Sequence, residues 1–315
     1  MFKKYIYISR LIFTIALLFV VFKFINYKEV INIYINSKKI YIFFAFFIFF
    51  LANVLASIRW RYLLSKLGIN ISFKEAVYSS FSGYFFNLFF PSFIAGDFFR
   101  ALSVSLRYGE KNKIASSVLV DRLSGFLGIT ISSLFFSVFI LKIIKREIFI
   151  SIFILNLIIV LFLIFSNRKI FRIFLVLVPK KFKDRLYNFY NEICFFKNNP
   201  SIFFISIFFS IFIQALISLS FFLSSLGVGV NVKPIYFFII VPIVMFISLI
   251  PITILGIGTR DLSIIYFFSL VGMNKAVALS LSLYHFTFGI LLAICGALIY
   301  IFIYNRWLLV KVKKC

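Results

Sequence analysis

The sequence is poor in almost everything that aqueous chemistry uses. In 315 residues it has one histidine, three cysteines and only nine Asp or Glu. A single His285 rules out a multi-histidine metal centre. Cys194, Cys295 and Cys315 are too scattered for a metal-ligand spacing or a paired-disulfide framework. The closing Lys313-Lys314-Cys315 is not a prenylation box. No Ser/His/Asp constellation and no glycine-rich nucleotide loop is present. The chain is therefore read as a non-enzyme, with no catalytic residues, no metal and no cofactor. Charged residues make up 14%, well under the roughly 25% of a soluble domain.

What fills the space is apolar. Hydrophobic residues make up 63%, 49 of them Phe, and the mean hydropathy is +1.11. That composition belongs to a polytopic helical membrane protein. The net charge of +25 does not point to nucleic acid. The basic residues sit in short loops between apolar runs, where they set topology and meet anionic headgroups.

Apolar runs long enough to span a bilayer need about 20 residues. They are expected over 5–22, with Arg10 snorkelling, and over 40–58, closed by Arg59-Trp60-Arg61 as an interfacial anchor. Others are expected over 114–141, 148–165, 202–226 and 276–304. Lys3-Lys4 before the first run resembles a signal peptide, but no small-x-small site follows, so it is read as an uncleaved span. Residues 168–200 are basic with apolar positions at helical spacing, as for an amphipathic helix on the cytoplasmic membrane surface.

Two stretches start as membrane helices and cannot finish as such. In residues 76–95 and just beyond, Pro91 removes a backbone donor, Gly96 loosens the chain, and Asp97 and Arg100 follow. In residues 235–270 the breaks are Pro242, Pro251, Gly256 and Gly258, followed by Arg260 and Asp261. Non-helical backbone at membrane depth survives only inside protein or beside a wet cavity. Each buried charge costs roughly 2.5–3.5 kcal/mol on insertion scales, so these charges must pair or line a polar site.

The second broken element repeats the first. Each is followed by a glycine, a lysine and a helix starting with small residues, which carries Asp121-Arg122 in one copy and Tyr284-His285 in the other. Loop charge favours a cytoplasmic N-terminus with both elements re-entrant, one from each side; full crossing is the alternative. Similar units of opposite orientation characterise alternating-access transporters. The expected fold is all-α: a single integral membrane domain over 1–315 with about six full spans, two broken re-entrant elements and an inverted repeat of halves 1–147 and 148–315.

The candidate headgroup groove is Asn87, Asp97, Arg100, Asp121, Arg122, Arg260, Asp261 and His285. Arginines grip phosphate bidentately, and carboxylates supply counter-charge or hold a proton. The structural alternative is that these ion pairs only pin the broken helices. Asn87 is expected to satisfy backbone groups freed by the break, and His285 to bond between helices. Gly125, Gly128 and Gly289 are read as close-packing positions.

Three blocks in order, Asn87 through Pro91-Ser-x-x-Ala-Gly96-Asp97-x-x-Arg100, Ala115-Ser-Ser-Val-x-x-Asp121-Arg122, and Pro251 through Gly256-x-Gly258-x-Arg260-Asp261, resemble the lysylphosphatidylglycerol synthase transmembrane region. Asp121 and Asp261 stand where that family usually has Glu, which keeps the charge and shortens the arm. The resemblance covers roughly 10–304. It implies a flippase-like protein moving a lipid or lipid-linked headgroup between leaflets, in glycolipid or surface-polysaccharide pathways. Lysyl transfer from tRNA is not expected, since the aminoacyltransferase part is absent. The other readings are a membrane-embedded enzyme or an accessory subunit acting on a lipid-linked sugar. Expected partners are anionic or lipid-linked membrane lipids, with a glycosyltransferase as a candidate protein partner and no nucleic acid. The expected location is a bacterial or archaeal cytoplasmic membrane, both termini cytoplasmic.

Overall fold

Phe- and Ile-rich runs between short polar loops leave the backbone one way to satisfy its donors in lipid, which is the helix. The computed structural model describes residues 27–89, 94–138, 198–249 and 256–304, with the single positions 17, 19, 146, 150, 195, 196 and 253. Among them the elements are α1 (Tyr27–Asn36), α2 (Lys39–Lys66), α3 (Phe73–Phe89), α4 (Ile94–Tyr108), α5 (Lys111–Val138), α6 (Pro200–Gly227), α7 (Pro234–Leu249), α8 (Thr259–Leu270) and α9 (Lys275–Ile299), which closes in a π-turn at Tyr300–Tyr304. Four helices in this set, α2, α5, α6 and α9 with its π-turn, are long and apolar enough to cross a membrane. The expected spans at 5–22 and 148–165, almost all of the 168–200 helix, and the breakers Pro91 and Pro251 lie outside the described residues.

The order span, short helix, short helix, span occurs twice: α2 to α5, and α6 to α9. α2 and α6 run antiparallel. Lys38 N–H donates to Gly227 O at 2.8 Å, Arg59 Nη1 donates to Ser210 Oγ at 2.6 Å, and Leu63 packs with Ile202. Equivalent spans pointing opposite ways make the repeat inverted. The packing follows the same two-fold relation: α3 lies against α9 as α7 lies against α5.

Both broken elements are hairpins. Glu75 near the start of α3 accepts from Tyr108 Oη at 3.1 Å and pairs with Arg107, so the end of α4 returns to the start of α3. Phe237 on α7 meets Phe268 on α8 with ring centroids 4.9 Å apart. The open end of the first hairpin packs on Trp60 and Leu64 near the C-terminal end of α2. Phe237 packs on Phe222 near the C-terminal end of α6. Because α2 and α6 are antiparallel, the hairpins enter from opposite ends of the bundle.

Close approach is set by glycines that only partly match expectation. Gly128 does lie on α6: a Cβ there would stand 2.4 Å from Ser210 Cβ. Gly125 faces the Arg59 guanidinium rather than a backbone, and Gly289 has nothing within 4 Å. The tight position on α9 is Gly296, where a Cβ would stand 2.0 Å from the Phe81 carbonyl oxygen. Gly296→Ala is expected to force α9 off the first hairpin and cost about 1–3 kcal/mol, read as a lower unfolding temperature in detergent. Gly289→Ala should leave that temperature unchanged.

Candidate functional site

The tip of the first hairpin is closed by a side chain. Asn87 Oδ1 accepts the Gly96 N–H at 2.7 Å, so it holds α4 to α3 across the break. Gly96 has no room for a side chain: a Cβ would meet the Gly83 carbonyl at 2.5 Å and the Asn87 amide at 2.7 Å. One turn into α4 stand Asp97 and, three residues later, Arg100.

These two join a five-member ion network inside the bundle. Arg122 pairs with Asp97. Arg100 lies 3.1 Å from Asp97 and 2.8 Å from Asp121 Oδ2. Asp121 Oδ1 takes Arg59 Nε at 2.7 Å, and Arg59 Nη1 continues to Ser210 on α6. Arg100 also lies over the Trp60 ring at 4.8 Å, a cation–π contact, while Trp60 Nε1 donates to Ser117 at 3.1 Å. Among the described residues, three guanidiniums meet two carboxylates, a balance of one positive charge. Arg59, Arg100 and Asp121 are buried, Asp97 is nearly so, and Arg122 is about a third exposed (35%). Arg100 Nε, also buried, has no hydrogen-bond partner among the described residues.

Arg59 corrects the sequence reading. It is no interfacial anchor, because α2 continues two turns beyond it to Lys66 and Trp60 is fully buried. The apolar Leu63-Leu64 pair after Arg61 is the sequence signal that the helix runs on.

The second hairpin tip is built differently. Asp261 takes the Gly258 N–H at 2.9 Å, Arg260 Nη2 at 2.9 Å and the Ser282 hydroxyl, so its oxygens are satisfied locally. Gly258 at φ 85° and Gly256 at φ 70° shape the turn into α8, a conformation costly for other residues. Arg260 Nε donates to Ser282 at 2.9 Å. This pair is net neutral and caps its own helix.

Placed in register by their following spans, which begin at Lys111 and Lys275, Asp97 corresponds to Asp261 and Asp121 to His285. Arg100 corresponds to Ile264. The second half therefore keeps one carboxylate and replaces the central ion pair by neutral groups. His285 is buried, stacks on Phe221 with centroids 3.4 Å apart, and sits 3.5 Å from Ser224 Oγ. The structure thus gathers Asp97, Arg100, Asp121 and Arg122 with Arg59, and separately gathers Arg260 and Asp261 with Ser282. No ion pair or hydrogen bond joins the two clusters among the described residues. No group of three or more His, Cys, Asp or Glu arranged to hold a metal occurs among the described residues either.

Over residues 7–297 the sequence matches the family described as Lysylphosphatidylglycerol synthase TM region. It is also similar to the UPF0104 membrane protein MJ1595 of Methanocaldococcus jannaschii, with 26% identity over 301 residues covering 87% of this chain and 88% of that protein.

Proposed function

Because the chain belongs to the lysylphosphatidylglycerol synthase TM region family, we propose that this integral membrane protein translocates a lipid or lipid-linked headgroup between leaflets. The observation that carries this reading is the five-member network at a hairpin tip inside the bundle, where among the described residues three guanidiniums meet two carboxylates. A structural lock would be expected to balance its charges, as the Arg260–Asp261 cluster does. An excess guanidinium suits a phosphate-bearing headgroup, which it can hold through paired hydrogen bonds. Hairpins entering from opposite ends give the two-sided construction that alternating access requires. The acyl chains stay in lipid while the headgroup passes through protein. The setting is a bacterial or archaeal cytoplasmic membrane with both termini inside, and glycolipid or surface-polysaccharide assembly is the pathway class.

The test is purified protein in sealed vesicles holding a headgroup-labelled phospholipid or lipid-linked sugar. Label should reach the opposite leaflet faster than in protein-free vesicles, with the lipid's mass unchanged. A changed mass in the presence of a sugar donor would instead make the protein an enzyme. No acceleration for either lipid would remove the transport reading.

A further inference from the structure

Helix α6 carries polar residues where a dry bundle needs none. Ser206, Ser210, Gln214 and Ser218 recur every fourth residue and are all buried, so they share one stripe of the helix. Phe204, Phe208 and Phe212 recur at the same spacing and are exposed, which makes them the lipid side. The two ends of the polar face are anchored at the two sites. Ser210 accepts from Arg59 of the first network, and Ser206 Oγ donates to Ser124 Oγ at 2.8 Å. Further along, on a second buried line of the helix about 120° round from Ser218, Ser220 Oγ donates to Ala45 O at 2.7 Å, and Ser224 meets His285, one turn from Ser282 of the second cluster.

Between these anchors the bonds stop. Gln214 Nε2 and Ser218 Oγ are buried without a hydrogen-bond partner among the described residues, and so is His285 Nδ1. Polar side chains that glue helices together do so by bonding across them; these do not. A buried polar group left unsatisfied is destabilising, and such groups mark places where water or a ligand is bound. The stretch from Ser210, bonded to the first network, to Ser224, beside His285, rises about 21 Å at 1.5 Å per residue.

We propose that the buried face of α6 between Ser210 and Ser224 is a hydrated path along which the phosphate-bearing headgroup passes from one hairpin tip to the other. This rests on the transport reading above and names the route. Gln214 and Ser218 offer neutral donors midway, which hold a phosphate weakly enough to release it. The charged network at Ser210 is where it is gripped.

The test uses full-length protein with Cys194, Cys295 and Cys315 replaced by serine and one cysteine returned at a time: Gln214→Cys, Ser218→Cys, or Phe212→Cys as the lipid-side control. Ser218→Cys is nearly isosteric, so its reading does not depend on the tolerance of Gln214. Each variant is placed in phosphatidylcholine vesicles with and without phosphatidylglycerol. The rate of modification by a small charged methanethiosulfonate reagent is measured. Only a hydrated thiol ionises and reacts. The cysteines at 214 and 218 are expected to react about tenfold or more faster than that at 212, and phosphatidylglycerol to slow them several-fold. Rates equal to the 212 control, or rates indifferent to phosphatidylglycerol, would overturn the path. Label movement measured in the same vesicles separates the two readings. Movement with unreactive cysteines removes the path alone, whereas reactive, lipid-protected cysteines without movement remove transport and leave a headgroup site.

Discussion

Replacing Asp121 by alanine is expected to be the most destabilising single change in the first cluster, by about 3–5 kcal/mol, the usual cost of breaking a buried ion pair and leaving its partner uncompensated. Asp121 occupies the middle of the network. Each of its oxygens serves a different arginine, Oδ1 facing Arg59 on α2 and Oδ2 facing Arg100 on α4. Among the described residues, losing it leaves Arg59 the Ser210 hydroxyl alone, and both guanidiniums are buried. Because α2, α4, α5 and α6 all meet there, the loss should appear as a lower unfolding temperature and poor recovery from the membrane. Asp121→Glu keeps the charge with a longer arm and should recover most of the difference. An alanine variant as stable as the parent would mean that the network holds nothing together.

Arg100 should behave in the opposite way. Removing it leaves each carboxylate one arginine: Asp121 keeps Arg59 and Asp97 keeps Arg122. Arg100→Gln should therefore fold, while the cluster's net charge falls from one positive to zero. If a phosphate is gripped at this tip, lipid movement should drop about tenfold or more, since hydrogen bonds to charged groups contribute roughly 1.5–3 kcal/mol each. Arg260→Gln, in the neutral cluster, should lower stability more than movement, because Asp261 also caps α8 through Gly258. Movement unaffected by Arg100→Gln in well-folded protein would assign the network a purely structural role.

The architecture was legible because its causes are local. Apolar runs of spanning length and the glycine turn at Gly256 and Gly258 act within a few residues, and α8 begins where that turn ends; Pro242, expected as a break, instead lies inside α7, and Gly96 lies in the first turn of α4, where it serves close packing. The inverted repeat was legible too, but in a shifted register. Matching the prolines pairs Gly96 with Gly256. The following spans instead pair Asp97 with Asp261, because the interval between α7 and α8 is longer than that between α3 and α4. What could not be read was which charges meet. Arg59 looks like a boundary arginine in a run ending at Arg61, and only the packing of α2 against α5 and α6 brings it to Asp121 and Ser210. Likewise nothing local distinguishes Gly289 from Gly296, since the difference lies in where the α3 backbone passes. A single pool of six charges was the natural reading of three separate motifs. The fold instead divides them into a charged cluster at one tip and a neutral pair at the other.

That division makes a direct test available in the lipid that co-purifies with each variant. Wild-type protein and Arg100→Gln are purified side by side from the same membranes, and the lipid retained by each is extracted and identified by mass. Wild-type protein is expected to be enriched in a phosphate-bearing anionic lipid relative to the membrane, and Arg100→Gln to lose this enrichment while remaining folded. Equal lipid profiles in the two, both matching the bulk membrane, would contradict this expectation.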